Sequence, residues 1–257
     1  MQPLILTSEP AEAVLLLTLN RPEAANALTS DLAKQLTDKL KSLSRHIRCI
    51  ILAGSGKHFC AGADLKERNG MDEAAWKAQH ALFRGARDAI LQCEIPVIAA
   101  VHGAAMGGGF ELALACDFIY AAESARFGLT EATLGIMPGM GGTQLLARAL
   151  PLPRARELLL TGQPLSAHEA YEWGMVNRLC APETLHKEVL ETAITIAANA
   201  PLSIAAIRSA LRDGLEMPIN QALEVELRHY NRLLSTADRY EGMAAWNEKR
   251  KPVFKGE

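Results

Sequence analysis

The sequence predicts an α/β core followed by a helix-only C-terminal region, and three observations carry that prediction. Short apolar runs of strand length alternate with segments of helical periodicity over residues 1–198. From residue 199 onward, three helical stretches follow one another with no strand candidate between them. The 257 residues are 49% hydrophobic and 22% charged, with a mean hydropathy of +0.04, which supplies a substantial core and argues against disorder.

In chain order, Val14–Leu19 (VLLLTL) reads as a buried strand ended by the turn Asn20-Arg21-Pro22. Leu28, Leu32, Leu36, Leu40 and Leu43 recur at helical spacing, with Thr29 or Ser30 as the N-cap. Residues 49–53 (CIILA) form a second buried strand, stopped by Gly54-Ser55-Gly56. Residues 72–92 are helical, Val97–Val101 is a strand after Pro96, and 119–121 is a fourth strand after an apolar helix over 110–116. In the C-terminal region, residues 201–215, 218–234 and 238–248 read as helices. The division expected is a core over 1–198 and a helical region over 199–257.

Charge and cysteine usage exclude several classes. Lys+Arg 27 against Asp+Glu 29 gives a net charge of −2, so no nucleic-acid partner is expected. Residues 72–92 place Lys77, Arg84 and Arg87 against Asp72, Glu73 and Asp88, which leaves no basic stripe. Cysteines 49, 60, 93, 116 and 180 are odd in number, contain no CxxC pair, and fit buried thiols in a reducing compartment. The first basic residue is Arg21, so no charged leader is expected. The most membrane-like window, 95–122, holds His102, Glu111, Asp117 and four glycines, which makes a poor lipid-spanning helix. A soluble cytoplasmic protein with no membrane partner is the expectation.

Four segments combine glycine and charge beyond what a plain core requires. Residues 59–66 (FCAGADLK) follow the second strand, where Asp64 can cap a helix or the backbone amides can meet a ligand. Residues 103–117 carry Gly107-Gly108-Gly109, which allow close backbone approach at a helix start whose N–H groups are unpaired. Such amides suit an oxyanion. Glu111 stands in that otherwise apolar helix and needs either a proton or a partner such as an arginine. Glu131, twenty residues later, again lies among apolar neighbours, and 138–144 (PGMGGTQ) is a glycine turn leading into another helix. Two carboxylates in apolar settings beside glycine loops point to general acid/base chemistry. No GxGxxG, P-loop, GxSxG or HExxH pattern occurs, and the seven histidines form no ligand-spaced group, so no metal is implied.

Five ordered stretches together resemble the crotonase superfamily, the enoyl-CoA hydratase/isomerase family: AGADLKER (61–68), PVIAAVHGAAMGGGFELALACD (96–117), FGLTEATLGIMPGMGGTQ (127–144), LTGQPLSAHEAYEWGMVN (160–177) and RYEGMAAWNEKRKPVFKG (239–256). FCAGADLKER with GGGFELALACD is also similar to the methylglutaconyl-CoA hydratase group, one of whose relatives binds RNA through a lysine-rich helix that has no counterpart here. The resemblance implies a spiral of ββα repeats and a C-terminal helical region that packs homotrimers, commonly paired into hexamers.

It further implies an acyl-CoA thioester substrate whose carbonyl oxygen sits between the amides of Ala63 and Gly108. The carbonyl of Ala61 would meet the adenine. Asp64, Leu65 and Lys66 would belong to the CoA-binding segment, with Lys66 near the phosphates, and Lys255 would reach a neighbouring subunit's ligand. Family hydratases carry glutamate at both acid/base positions, here Glu111 and Glu131, with Gly139 as a water contact. The implied reaction is hydration of a 2-enoyl-CoA to a 3-hydroxyacyl-CoA, with methylglutaconyl-CoA hydration or Δ3-Δ2 isomerisation as alternatives. No separate cofactor is implied, since coenzyme A arrives as part of the substrate. Met106, Phe110 and Met140 are candidates for the acyl region or for the core, Trp76 and Trp173 for packing, and Tyr240 and Trp246 for closing the pocket.

Overall fold

A computed structural model describes residues 3–257. The chain begins with two strands, β1 (Ile5–Ala11) and β2 (Val14–Leu19), and continues through α1 (Ser30–Lys41), β3 (Cys49–Gly54), α2 (Leu65–Arg68) and α3 (Glu73–Leu91). Next come β4 (Val97–Val101), β5 (Ala104–Met106), α4 (Gly108–Ala115), β6 (Phe118–Ala122) and β7 (Arg126–Gly128). A 3-10 turn over Glu131–Leu134 leads to α5 (Gly142–Ala149), α6 (Leu152–Thr161), β8 (Leu165–Ser166), α7 (Ala167–Glu172), β9 (Arg178–Cys180) and α8 (Leu185–Ala197). The helices α9 (Pro201–Gly214), α10 (Ile219–Asn231) and α11 (Ala237–Glu248) end the chain with no strand among them.

The apolar runs form one six-stranded sheet in the order β1-β2-β3-β4-β6-β9, parallel except for the antiparallel β1–β2 pair. Every residue of β3 and β4 is buried, because helices cover both faces, so these strands read as unbroken hydrophobic runs. On one face, Leu17, Leu52 and Val101 join Leu32, Leu36, Phe83 and Phe110 of the helices in a large core. On the other, Val14, Ile51 and Ile98 pack with Val189 and Ala193 of α8.

A second layer has the order β5-β7-β8 and is extended by parallel bridges between Cys60 and Ala105 and between Leu28 and Ala63. Successive turns of the chain thus add a strand to the large sheet and a strand or bridge to the small one, which is the ββα spiral. Thr29 caps α1, its Oγ1 accepting from Leu32 N at 3.2 Å.

Strand β1 escapes the sequence reading because only Ile5 in it is buried. It is an exposed edge strand carrying Pro10, without the alternation or apolar run of a covered strand. All five cysteines are buried and free. Among the described residues, no single helix is long and apolar enough to cross a membrane, and no group of three or more His, Cys, Asp or Glu could hold a metal ion.

Candidate active site

The site forms where the two layers bring the AGAD segment against the start of α4. Cys60 N donates to Ala104 O at 3.0 Å and Met106 N to Cys60 O at 2.9 Å, which sets residues 61–63 beside 106–108. Gly62 makes this approach possible. Its φ is +90°, and a Cβ there would lie 2.7 Å from the Met106 carbonyl oxygen. Leu28 uses the carbonyl of Gly62 and the amide of Asp64, at 2.7 and 2.8 Å. The amides of Ala63 and Gly108 make no hydrogen bond to another described residue, and both residues line the same cavity. Gly108 is the first residue of α4, so its N–H is one of the orphan donors at a helix start.

That cavity measures about 620 Å³ and also holds both glutamates. Glu111 on α4 is 2% exposed, and its Oε1 accepts from Met140 N and Gly142 N, each at 2.7 Å. These amides take the place of the arginine that the sequence left open as a partner. Burial pushes the Glu111 carboxyl up to about 7, aided by the charge of Glu131 and opposed by the two amides. Glu131 opens the 3-10 turn, and burial raises its pKa as well, opposed by its own backbone N–H and by the Arg68 charge. Its Oε2 is sealed from solvent with no hydrogen-bond partner, a setting that favours a hydroxyl over a bare anion. The two groups are thus differentiated: Glu111 has donors for its anion, while Glu131 has an oxygen best occupied by a proton.

The loop leading into α5 is braced from α3. His80 Nε2 and the Gly139 carbonyl oxygen are 2.8 Å apart, and both residues line the cavity. Gly139 therefore stands at the predicted site, but the loop amides that reach Glu111 are those of Met140 and Gly142. Arg68 and Trp76 also line the cavity, the guanidinium lying 4.2 Å from the indole centroid. Trp76 is therefore part of the site wall, whereas Trp173 packs under Arg154 at 4.5 Å.

The remaining predicted residues divide. Ala61 and Leu65 line the cavity, Leu65 being 57% exposed. Asp64 caps α2 through Lys66 N and Glu67 N, at 2.9 and 3.3 Å, and pairs with Arg21 at 3.0 Å. Partial burial alone would push the Asp64 pKa up; Arg21 and the two amides outweigh it and hold the group below the carboxylate range. Asp64 and Lys66 are not among the cavity-lining residues. Lys255 lies in a tail pinned to α11, where its amide donates to Asp238 Oδ1 at 2.7 Å, and it too is away from this chain's cavity wall.

Met140 lines the cavity, whereas Phe110 packs on Phe127 in the core at 5.2 Å between centroids, and Met106 is not in the wall. Tyr240 and Trp246 are 61% and 82% exposed and do not close the cavity within one chain. Arg68 and His80 were not singled out by sequence. The available signal was the 76, 80, 83 spacing, which puts Trp76, His80 and Phe83 on one face of α3.

Comparison with known proteins places the chain in one family. A sequence model of the family described as Enoyl-CoA hydratase/isomerase matches residues 9–257. The chain is 40% identical over 247 residues to the 2,3-dehydroadipyl-CoA hydratase of Escherichia coli, covering 95% of this chain and 96% of that protein. It is 39% identical over 242 residues to the mitochondrial enoyl-CoA hydratase of Pongo abelii, covering 93% and 83%. Among solved structures, an enoyl-CoA hydratase from Bacillus anthracis superposes with a TM-score of 0.97 at 41% identity, covering 99% of this chain and 100% of that one.

Proposed function

Because the chain belongs to the enoyl-CoA hydratase/isomerase family, we propose that it hydrates a trans-2-enoyl-CoA to the 3-hydroxyacyl-CoA. The observation that carries this reading is that Glu111 and Glu131 share one cavity with two unpaired backbone amides. The thioester oxygen accepts from Ala63 N–H and Gly108 N–H, donors preorganised for the negative charge that develops there. Glu111 takes a proton from a water molecule, whose oxygen bonds to C3 as the C2=C3 π pair moves toward the carbonyl. Glu131 gives its proton to C2 as the thioester C=O bond re-forms, which leaves Glu131 anionic and Glu111 protonated until proton exchange with solvent restores both. The burial that raises the Glu131 pKa supports an acid at that position, and the amide-bound Glu111 supports a base with a pKa near working pH.

In this reading Gly139 contributes to holding the water. Ala61, Asp64, Leu65 and Lys66 serve the coenzyme A portion, and Lys255 serves the ligand of a neighbouring subunit. Coenzyme A arrives with the substrate, and the chemistry calls on no resident cofactor. Homotrimers, or pairs of them, are the proposed assembly, supported by exposed apolar residues of α9, α10 and the turn between them such as Leu211, Leu215, Ile219 and Leu223.

The test follows the conjugated-thioester absorbance with crotonyl-CoA. Its loss at enzymatic rates supports hydration. No loss, with acyl-CoA still bound and a 3-enoyl-CoA isomerised, overturns hydration in favour of double-bond migration through the same enolate.

A further inference from the structure

Two peptide groups hold the general base, and each has a second end. Met140 N and Gly142 N both donate to Glu111 Oε1, at 2.7 Å. In a trans peptide the carbonyl points opposite to the N–H, so the carbonyl oxygens of Gly139 and Gly141 face away from the carboxylate. Gly141 O accepts from Gln144 N and Leu145 N, at 2.9 and 2.8 Å, in the first turn of α5. That peptide is fixed by the helix it opens. Gly139 O has no backbone partner; among the described residues it accepts only from His80 Nε2, at 2.8 Å.

The contact is built for a donor. A carbonyl oxygen can only accept, so Nε2 carries the hydrogen. The neutral Nε2–H imidazole and the imidazolium both supply it, so the bond survives a change of charge on His80. Gly139 leaves room for the ring, since a Cβ there would lie 2.6 Å from Nε2. Two turns further along α3, Arg87 flanks Gly141, where a Cβ would lie 3.3 Å from Arg87 Cδ. One helix thus meets the loop at both peptides. A hydrogen bond at the carbonyl end also polarises a peptide and strengthens donation by its N–H. His80 and Glu111 therefore stand at the two ends of one chain, Nε2–H to O=C of Gly139 and N–H of Met140 to Oε1.

From this arrangement we infer that His80 is a positioning residue for the general base: by donating to the Gly139 carbonyl it fixes and polarises the peptide whose N–H holds the Glu111 carboxylate, and so favours the anion that accepts the proton of water. The inference rests on the hydratase reading and adds the residue that sets its base. The charges facing Glu111 are Glu131 from the 3-10 turn, Arg87 from α3 and Arg68 from α2. None of them hydrogen-bonds its carboxyl, so among the described residues the anion rests on the two amides. Without His80 the Met140 N–H is a poorer donor on a looser peptide, and burial holds the Glu111 proton more strongly.

The test compares the wild type with His80→Leu, which removes the donor, and His80→Gln, which keeps an amide N–H at about the reach of Nε2. The Glu111 proton is read directly, from the protonated-carboxyl infrared band that Glu111→Gln deletes, titrated from about pH 5 to pH 9. kcat/KM for crotonyl-CoA is followed over the same range, where its acidic limb reports the base of the free enzyme. Loss of one hydrogen bond at the carbonyl end predicts that both midpoints rise by about 0.5 to 1 pH unit in His80→Leu and return most of the way in His80→Gln. On the limb, kcat/KM of His80→Leu should fall about 3- to 10-fold, with the deficit narrowing above it. A merely loosened fold would lower the rate at every pH and leave the midpoint in place. An unmoved infrared midpoint overturns the inference, and so does one that moves equally in His80→Gln. Should a melting curve show His80→Leu unfolded, His80→Asn, whose shorter side chain falls short of the Gly139 carbonyl, is judged by the same criteria. A wild type that hydrates no 2-enoyl-CoA while its Glu111 titration still answers to His80 overturns the hydratase reading alone. Hydration with an unmoved midpoint overturns this inference alone.

Discussion

A carboxyl group that is 2% exposed inside an apolar helix survives at Glu111 because two amides of a neighbouring loop hold one oxygen and a raised pKa lets it carry a proton. Stability should record this. Between the ordinary glutamate value of 4.5 and about 7, the folded chain keeps a proton that the unfolded chain releases, so this group's contribution declines as pH rises through that window. The shift corresponds to about 3 kcal/mol above pH 8. Glu111→Gln, whose amide oxygen can still accept from both N–H groups, should therefore gain in melting temperature over the wild type between pH 5 and pH 8. Thermal unfolding at both values checks it, and a gap that does not widen with pH contradicts the assignment. For activity, Glu131→Gln should lower kcat about 10²- to 10⁴-fold while acyl-CoA binding persists, as measured by steady-state kinetics beside calorimetry. The pair of glutamates was legible in the sequence because charge in an apolar context is locally visible. Arg68 and His80 were not, because their roles depend on side chains that meet only after α2 and α3 fold over the loop before α5.

Among the elements, the loop before α5 does the most for the site, since it delivers the amides of Met140 and Gly142 and is braced by His80 at Gly139. A Cβ at Gly142 would lie 3.0 Å from Glu111 Oε1, 2.9 Å from Pro138 Cβ and 2.9 Å from Leu129 Cδ1. Gly142→Ala should thus displace the carboxylate and lower kcat about 10- to 100-fold, with a smaller change in KM. Kinetics with a melting curve would separate this from unfolding. Legibility differs between elements for a physical reason. Strands β2, β3 and β4 are covered by helices and appear as apolar runs, so sequence locates them. Strands β5, β7 and β9 have three residues each and β8 has two, too short for any periodicity, and their pairing is set by the turns of the spiral. The spiral itself entered through the family resemblance, not through strand and helix patterns.

Taken as a whole molecule, the chain leaves much apolar surface on its C-terminal helices. Leu211, Leu215, Ile219 and Leu223 are 54%, 77%, 70% and 52% exposed around a groove of about 520 Å³ between α9 and α10. Exposed apolar area of this kind marks an interface, and the assembly proposed above accounts for it. Sedimentation should find trimers or hexamers, and Leu215→Asp with Ile219→Asp should shift the protein toward smaller species while the α/β core stays folded. A monomer at micromolar concentration would contradict the proposed assembly. The most direct measurement of all is the absorbance of the conjugated thioester on mixing crotonyl-CoA with the wild type and with Glu111→Gln and Glu131→Gln. Rapid loss with the wild type and near-complete retention with both variants is the predicted result; hydration by either variant at close to the wild-type rate would contradict the two-carboxylate mechanism.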